Sequence, residues 1–191
     1  LAGTSQVVAA DRRVTLGGVD LHSWVTNAAG FNFHNWYGFG KVDADLAVAA
    51  AAIFDQALLG TQSTQERLAE FTTPVQIPNA EGRSASINLT AGAGTLGIVE
   101  FIRLKIKFSA SQAVALNDIG ITLTSPSGTT HSVLQPFTNV SGQPSFYWAI
   151  GVAGFYGETI EGDWEVTIFD YSDDAISPGT WDGFELEVHY R

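Results

Sequence analysis

The sequence predicts an all-β double-sheet sandwich of jelly-roll type, built from about eight strands and preceded by a short irregular and helical segment. Three observations predict it. Short alternating runs recur from about residue 66 to the end, and clusters of Gly, Pro, Asn, Asp and Ser separate them. The stretch Ser125-Pro126-Ser127-Gly128-Thr129 closes one such run, Ile119 to Thr124, and opens the next, as a Pro-x-Gly hairpin turn would. No part of this region offers the crossover helix that an α/β fold needs.

Residues 1–36 show no sustained period of 3.6 or 2 and read as irregular. Their apolar members, Val19, Leu21, Trp24, Phe31, Phe33 and Trp36, are numerous enough to require burial. The alanine-dense stretch 43–58 predicts a helix, with Asp43 or Asp45 at its N-terminus and an end before Gly60. Thr61-Gln62-Ser63-Thr64-Gln65 is polar and unpatterned, as a linker is. Strands are expected at about 67–73, 84–90, 98–109, 118–125, 129–135, 145–150, 163–169 and 182–190. In the last, Phe184, Leu186, Val188 and Tyr190 alternate with Glu185, Glu187 and His189, which predicts one buried and one wet face.

Composition bounds the chemistry. The absence of cysteine excludes disulfides, thiolate metal sites and a cysteine nucleophile. A net charge of −11 argues against a nucleic-acid partner. The longest apolar run, Ala47 to Phe54, is far short of the ~20 residues that span a bilayer, so no membrane partner is expected. Arg103, Lys105 and Lys107 form a basic row on one strand face, read as a solvated sheet surface.

The four histidines, His22, His34, His131 and His189, stand at no metal-ligand spacing and read as structural or solvent-facing. Glu185 and Glu187 share a strand face, which is solvation more often than a catalytic pair. From Glu158 onward ten acidic residues face a single base, Arg191. Asp170, Asp173, Asp174 and Asp182 could bring several hard oxygens together in one loop, so calcium is the expected cofactor, with Asp118 and Asp163 as second-choice ligands near the same sandwich end. The alternative is an acidic turn whose side chains cap their own backbone.

Together with the Ser125–Thr129 turn, Gly162-Asp163-Trp164-Glu165-Val166-Thr167-Ile168 and Gly179-Thr180-Trp181-Asp182-Gly183-Phe184-Glu185-Leu186-Glu187-Val188 resemble the P domain that follows the catalytic domain in kexin- and furin-like proprotein convertases. Tyr37-Gly38-Phe39-Gly40-Lys41-Val42-Asp43-Ala44, followed by Leu46 and Val48, resembles the end of a subtilisin-like catalytic domain. The resemblance implies a catalytic-domain tail over 1–60, a linker over 61–65 and a galactose-binding-like P domain over 66–191. It further implies a C-terminal portion of a serine endopeptidase, with the catalytic domain of the same protease as partner and some contact with protein substrate. The missing cysteines and the acidic C-terminal third, which depart from the eukaryotic convertase pattern, lead to the expectation of a secreted bacterial parent.

In that family a Gly-Thr-Ser tripeptide carries the nucleophile, and Gly3-Thr4-Ser5 matches it by letter only. Gln6-Val7-Val8 follows Ser5 where the family has small residues and a proline, so no catalytic residue is assigned and no activity is expected of the chain alone. The rival reading is a carbohydrate- or protein-binding jelly roll using Tyr147, Trp148, Phe155, Tyr156 and Trp181.

Overall fold

In the computed structural model the described residues are 2–16, 19–77, 79–109, 118–136, 145–171 and 179–191. The N-terminal part is a succession of small paired strands: β1 (Ser5–Gln6), β2 (Val14–Leu16), β3 (Val19–His22), β4 (Val25–Thr26), β5 (Asn32–Phe33) and β6 (Lys41–Val42). They pair antiparallel as β1 with β6, β2 with β3, and β4 with β5. Ser5 therefore lies in a strand opposite Val42.

Helix α1 (Ala44–Ala52) starts where Asp43 caps it, the carboxylate accepting from the Leu46 N–H at 2.9 Å. It is shorter than the predicted 43–58. Asp55 accepts from the Ala57 N–H and opens a separate 3-10 turn over Gln56–Leu59, so a side-chain bond to the local backbone wins over continuing the helix.

Eight strands follow: β7 (Ser63–Gln76), β8 (Gly82–Leu89), β9 (Val99–Ser109), β10 (Ile119–Thr124), β11 (Thr130–Leu134), β12 (Ser145–Val152), β13 (Gly162–Asp170) and β14 (Thr180–Tyr190). One sheet runs β12-β9-β14-β7 and the other β11-β10-β13-β8, all antiparallel. Counting the eight from one, these orders are 6-3-8-1 and 5-4-7-2, the jelly-roll arrangement. The fold class and the eight strands are those the alternation predicts. Strand β7 begins at Ser63, inside the stretch read as linker, because Ser63, Thr64 and Gln65 pair with Tyr190, His189 and Val188 on a sheet edge whose faces carry no apolar signal.

The core lies between the sheets. Ile102, Leu104, Ile106 and Phe108 of β9, Trp164, Val166 and Ile168 of β13, and Phe184, Leu186 and Val188 of β14 are essentially inaccessible to solvent. Their period of two is what buries one face of each strand. The predicted hairpin turn forms, with Gly128 at φ +86°, its N–H donating to Ser125 O and the Ser125 N–H to Thr129 O. Gly183 allows a bulge in β14, since a Cβ there would collide with the Ala69 carbonyl. Among the described residues no helix is long and apolar enough to cross a membrane.

Candidate functional site at the seam between the N-terminal tail and the sandwich

The loop from β4 to β5 is tied by Asn27, whose N–H donates to Phe31 O and whose Oδ1 accepts the Phe31 N–H, both at 2.9 Å. This fixes the Asn27 amide nitrogen outward. It donates to Gly154 O and Tyr156 O, each at 2.9 Å, on the sandwich. The adjacent Ala28 N–H is shared between Thr129 Oγ1 and Glu158 Oε1, each at 3.0 Å. Asn27, Thr129 and Glu158 are all buried, Glu158 at 2% exposure, and the four bonds range from buried to partly buried, so the side-chain groups in them are costly to leave unpaired. Asn35 adds a bond to Ser132 O at 3.0 Å, along the edge of β11.

Aromatic rings run from this loop into the core. Phe33 meets His131 edge-on at 5.4 Å between centroids, His131 meets Phe155 at 4.9 Å, and Phe155 meets Trp164 at 5.1 Å. Gly154 makes room for His131, because any Cβ there would clash with the imidazole. Phe31 packs on Tyr156 at 5.1 Å. The family resemblance implies that the catalytic body covers the apolar residues of the tail; Phe31 and Phe33 instead pack on Tyr156 and His131 of this chain.

Behind the loop, His34 is fully buried and its Nδ1 accepts the Trp36 N–H at 3.0 Å. Trp24 and Tyr37 flank its ring at 5.3 and 4.8 Å. His22 Nδ1 lies 2.7 Å from the Gln135 amide nitrogen, just beyond β11. Burial pushes the pKa of His22 down, helped by His34, and burial does the same to His34 and His131. A cavity of about 390 Å³ lies between these groups and the edge strands, lined in part by His22, Phe33, Trp36, Gln135 and Val152.

Beyond the seam the tail is apolar and uncovered. Helix α1 buries none of its residues, and Leu46, Val48, Ile53, Phe54, Leu58 and Leu59 are exposed, Ile53 at 87%. Apolar residues exposed in such number are of the kind that interfaces use.

The other sequence-predicted residues are placed as follows. Asp170 ends β13 and is buried; Asp182, on β14, accepts hydrogen bonds from Ser109 Oγ and, at 3.3 Å, Thr180 Oγ1. Asp173 and Asp174 lie outside the described residues, among which no group of three or more His, Cys, Asp or Glu gathers to hold a metal. Asp118 belongs to the same end as Asp170, its carbonyl accepting the Tyr171 N–H at 3.0 Å. Asp163 does not. It sits at the opposite end of β13, seven residues from Asp170 and so about 23 Å away at strand rise, bonded to Asn88.

Arg103, Lys105 and Lys107 are ion-paired rather than freely solvated. Arg103 reaches both oxygens of Glu187 at 3.1 Å, Lys105 bridges Glu185 and Glu187, and Lys107 meets Glu70. For both glutamates burial works against the charge, but hydrogen bonds from Lys105 with Tyr147 or His189 prevail and hold the carboxyls below their ordinary value of 4.5. A lowered carboxyl stabilises the fold above its unfolded pKa and loses that contribution as pH falls through the folded one, so this ladder weakens only below about pH 4.5. Of the aromatics in the rival reading, Phe155 and Trp181 are fully buried, and Tyr156 is engaged with Phe31. Phe155 and Trp181 therefore cannot stack on a sugar, while Tyr147 is exposed and donates its hydroxyl to Glu185.

Nothing local in the sequence marks the Asn27–Glu158 junction, whose partners stand more than a hundred residues apart. The family described as Proprotein convertase P-domain matches residues 100–188, from β9 through most of β14. The chain is 27% identical to proprotein convertase subtilisin/kexin type 5 of Rattus norvegicus over 162 residues, covering 81% of this chain and 8% of that protein. It is 28% identical to the Aeromonas extracellular serine protease of Aeromonas sobria over 163 residues, covering 78% of this chain and 25% of that protein. The chain therefore spans a quarter or less of these relatives. The crystal structure of the serine protease of Aeromonas sobria superposes on all of this chain and on 39% of its own, with a TM-score of 0.75 at 20% identity. A second structure of that protease, in complex with a chaperone, gives 0.74. The fold agrees with the sequence motifs and the family match: residues 100–188 of this chain match the proprotein convertase P-domain family.

Proposed function

We propose that the chain is the C-terminal part of a secreted subtilisin-like serine endopeptidase, in which the P domain clamps the tail of the catalytic domain and thereby supports that domain's folding and stability. The observation that carries this is the buried junction at Asn27 and Ala28. A segment leading into the Tyr37–Ala44 motif has its backbone and amide groups satisfied by Thr129, Glu158 and the Gly154 and Tyr156 carbonyls of the sandwich. The exposed apolar residues of α1 and the following turn then supply the surface on which the catalytic body packs, as Ile53 and Val48 suggest. Binding that exists only in the folded state biases the body toward that state. Expression of the whole protease with and without residues 63–191 tests this. We expect at least tenfold less active enzyme from the truncated form, and an equal yield of active enzyme would overturn the proposal.

We also propose calcium at the acidic end, held by Asp170, Asp173, Asp174 and Asp182. In support, buried Asp170 ends β13 and Asp182 lies near the start of β14, so two of the four carboxylates stand at the strand ends that flank this acidic stretch of sequence. A cage assembled only on folding raises stability by mass action, by about 2.7 kcal/mol at a hundred times the dissociation constant. The melting temperature is expected to fall in chelator and recover with calcium, and Asp173→Asn to blunt the response. Identical melting curves in both conditions would leave only the self-capped acidic turn.

A further inference from the structure

We propose that the seam between tail and sandwich is an acid-released latch: at neutral pH unprotonated His22 ties the tail to Gln135 beside β11 while unprotonated His34 holds the turn at Trp36 in shape, and protonation of the pair lets residues 22–39 lift away.

The hydrogen bonds require the neutral rings. His34 Nδ1 accepts the Trp36 backbone N–H, so the lone pair a proton would take is already in use. The Gln135 amide nitrogen lies 2.7 Å from His22 Nδ1, an arrangement in which the neutral ring accepts; the Gln135 contact works toward the charged ring, but burial and His34 outweigh it. His22 is the tail's side of that bond and Gln135 the sandwich's. The two imidazoles lie 6.2 Å apart in stacked orientation, with Trp36 4.0 Å from His22. Charging both would set two cations well within a Debye length of each other.

The surrounding charges do not relieve this. Arg12 lies over the far ring of the group, 5.6 Å from the Trp36 centroid, and adds a third positive charge. Asp11 and Arg13 lie with Arg12 around the neighbouring cavity at Ser23 and Trp24, one acid against two bases. On the sandwich side Glu158 faces His131 and is engaged by the Ala28 N–H. His131, 3% exposed and with its Nε2 unpartnered, is covered by Phe33, which belongs to the segment that lifts. Burial outweighs the Gly154 backbone and Glu158, which favour its charged form, so its protonation favours the open form too. Burial lowers all three histidines, so the closed form binds protons less readily than the open one. The sign follows: the latch is fully closed above the ordinary histidine value of 6.5 and loosens as pH falls below it, by up to about tenfold per pH unit for each histidine.

Amide hydrogen exchange of the 191-residue chain, corrected for the intrinsic pH dependence of exchange, tests the latch. Between pH 7 and 5.5 the opening constant of residues 22–39 is expected to rise at least about tenfold while amides of β9 and β14 stay unchanged. The His22→Asn, His34→Asn double variant keeps an acceptor near each Nδ1 and does not titrate, so its rise should be lost. A flat profile in the wild type, or the same rise in the double variant, would overturn the proposal. Should the double variant not fold, imidazole nitrogen NMR of the wild type decides: both Nδ1 atoms unprotonated at pH 7 with midpoints below 6.5 that track opening support the latch, and midpoints at or above 6.5 refute it.

Discussion

Trp164→Ala is expected to destabilise the sandwich by about 4 kcal/mol, a large share of the 5–15 kcal/mol that holds a typical domain folded. Trp164 is fully buried on β13, its indole N–H donates to Ile160 O at 2.9 Å, and its ring receives the edge of Phe155. Removing it opens a cavity between the sheets, leaves a carbonyl unpaired and takes away the inner end of the ring series that starts at Phe33. Denaturant unfolding followed by far-UV circular dichroism measures this as a lowered midpoint at unchanged slope. A loss below about 1 kcal/mol would mean that the sheets close over the gap, contrary to the packing described.

Asn27→Ala should cost about 3 kcal/mol, and locally rather than globally. It removes two donors from buried carbonyls and the acceptor of the Phe31 N–H, all at 2.9 Å. Faster amide exchange is expected in residues 27–33 with β9, β13 and β14 still protected. Asn27→Asp separates the contributions, because it keeps the acceptor for Phe31 but cannot donate to Gly154 O and Tyr156 O. If Asp behaves like the wild type, the seam bonds to the sandwich do not hold the loop.

Much of the fold was legible because β-strand burial writes a period of two into the chain. Phe184, Leu186, Val188 and Tyr190 are buried as their alternation requires, as are Trp164, Val166 and Ile168. The start of β7 was not legible, since Thr64 and Gln65 sit on an edge where hydrogen bonds to β14, not hydrophobicity, decide the pairing. The helix ends at Ala52, and Asp55 caps a separate turn beyond it through a local side-chain bond that helix propensity does not foretell. The seam was illegible for a further reason. Asn27, Thr129 and Glu158 are ordinary polar residues in sequence, and only the fold brings them to one buried place, while the histidine count said nothing about which rings would share a wall.

The Ala28 contact has a consequence for how such proteins diversify. The sandwich grips the backbone N–H of residue 28, not its side chain, which points to solvent. Any amino acid except proline offers that same group. The joint is therefore indifferent to the identity of the residue it holds, and tails that have drifted in sequence should still dock, provided that the asparagine before it is kept. Exchange of tails among distant relatives is then a matter of loop shape, and proline at position 28 is the one replacement that the joint itself rejects.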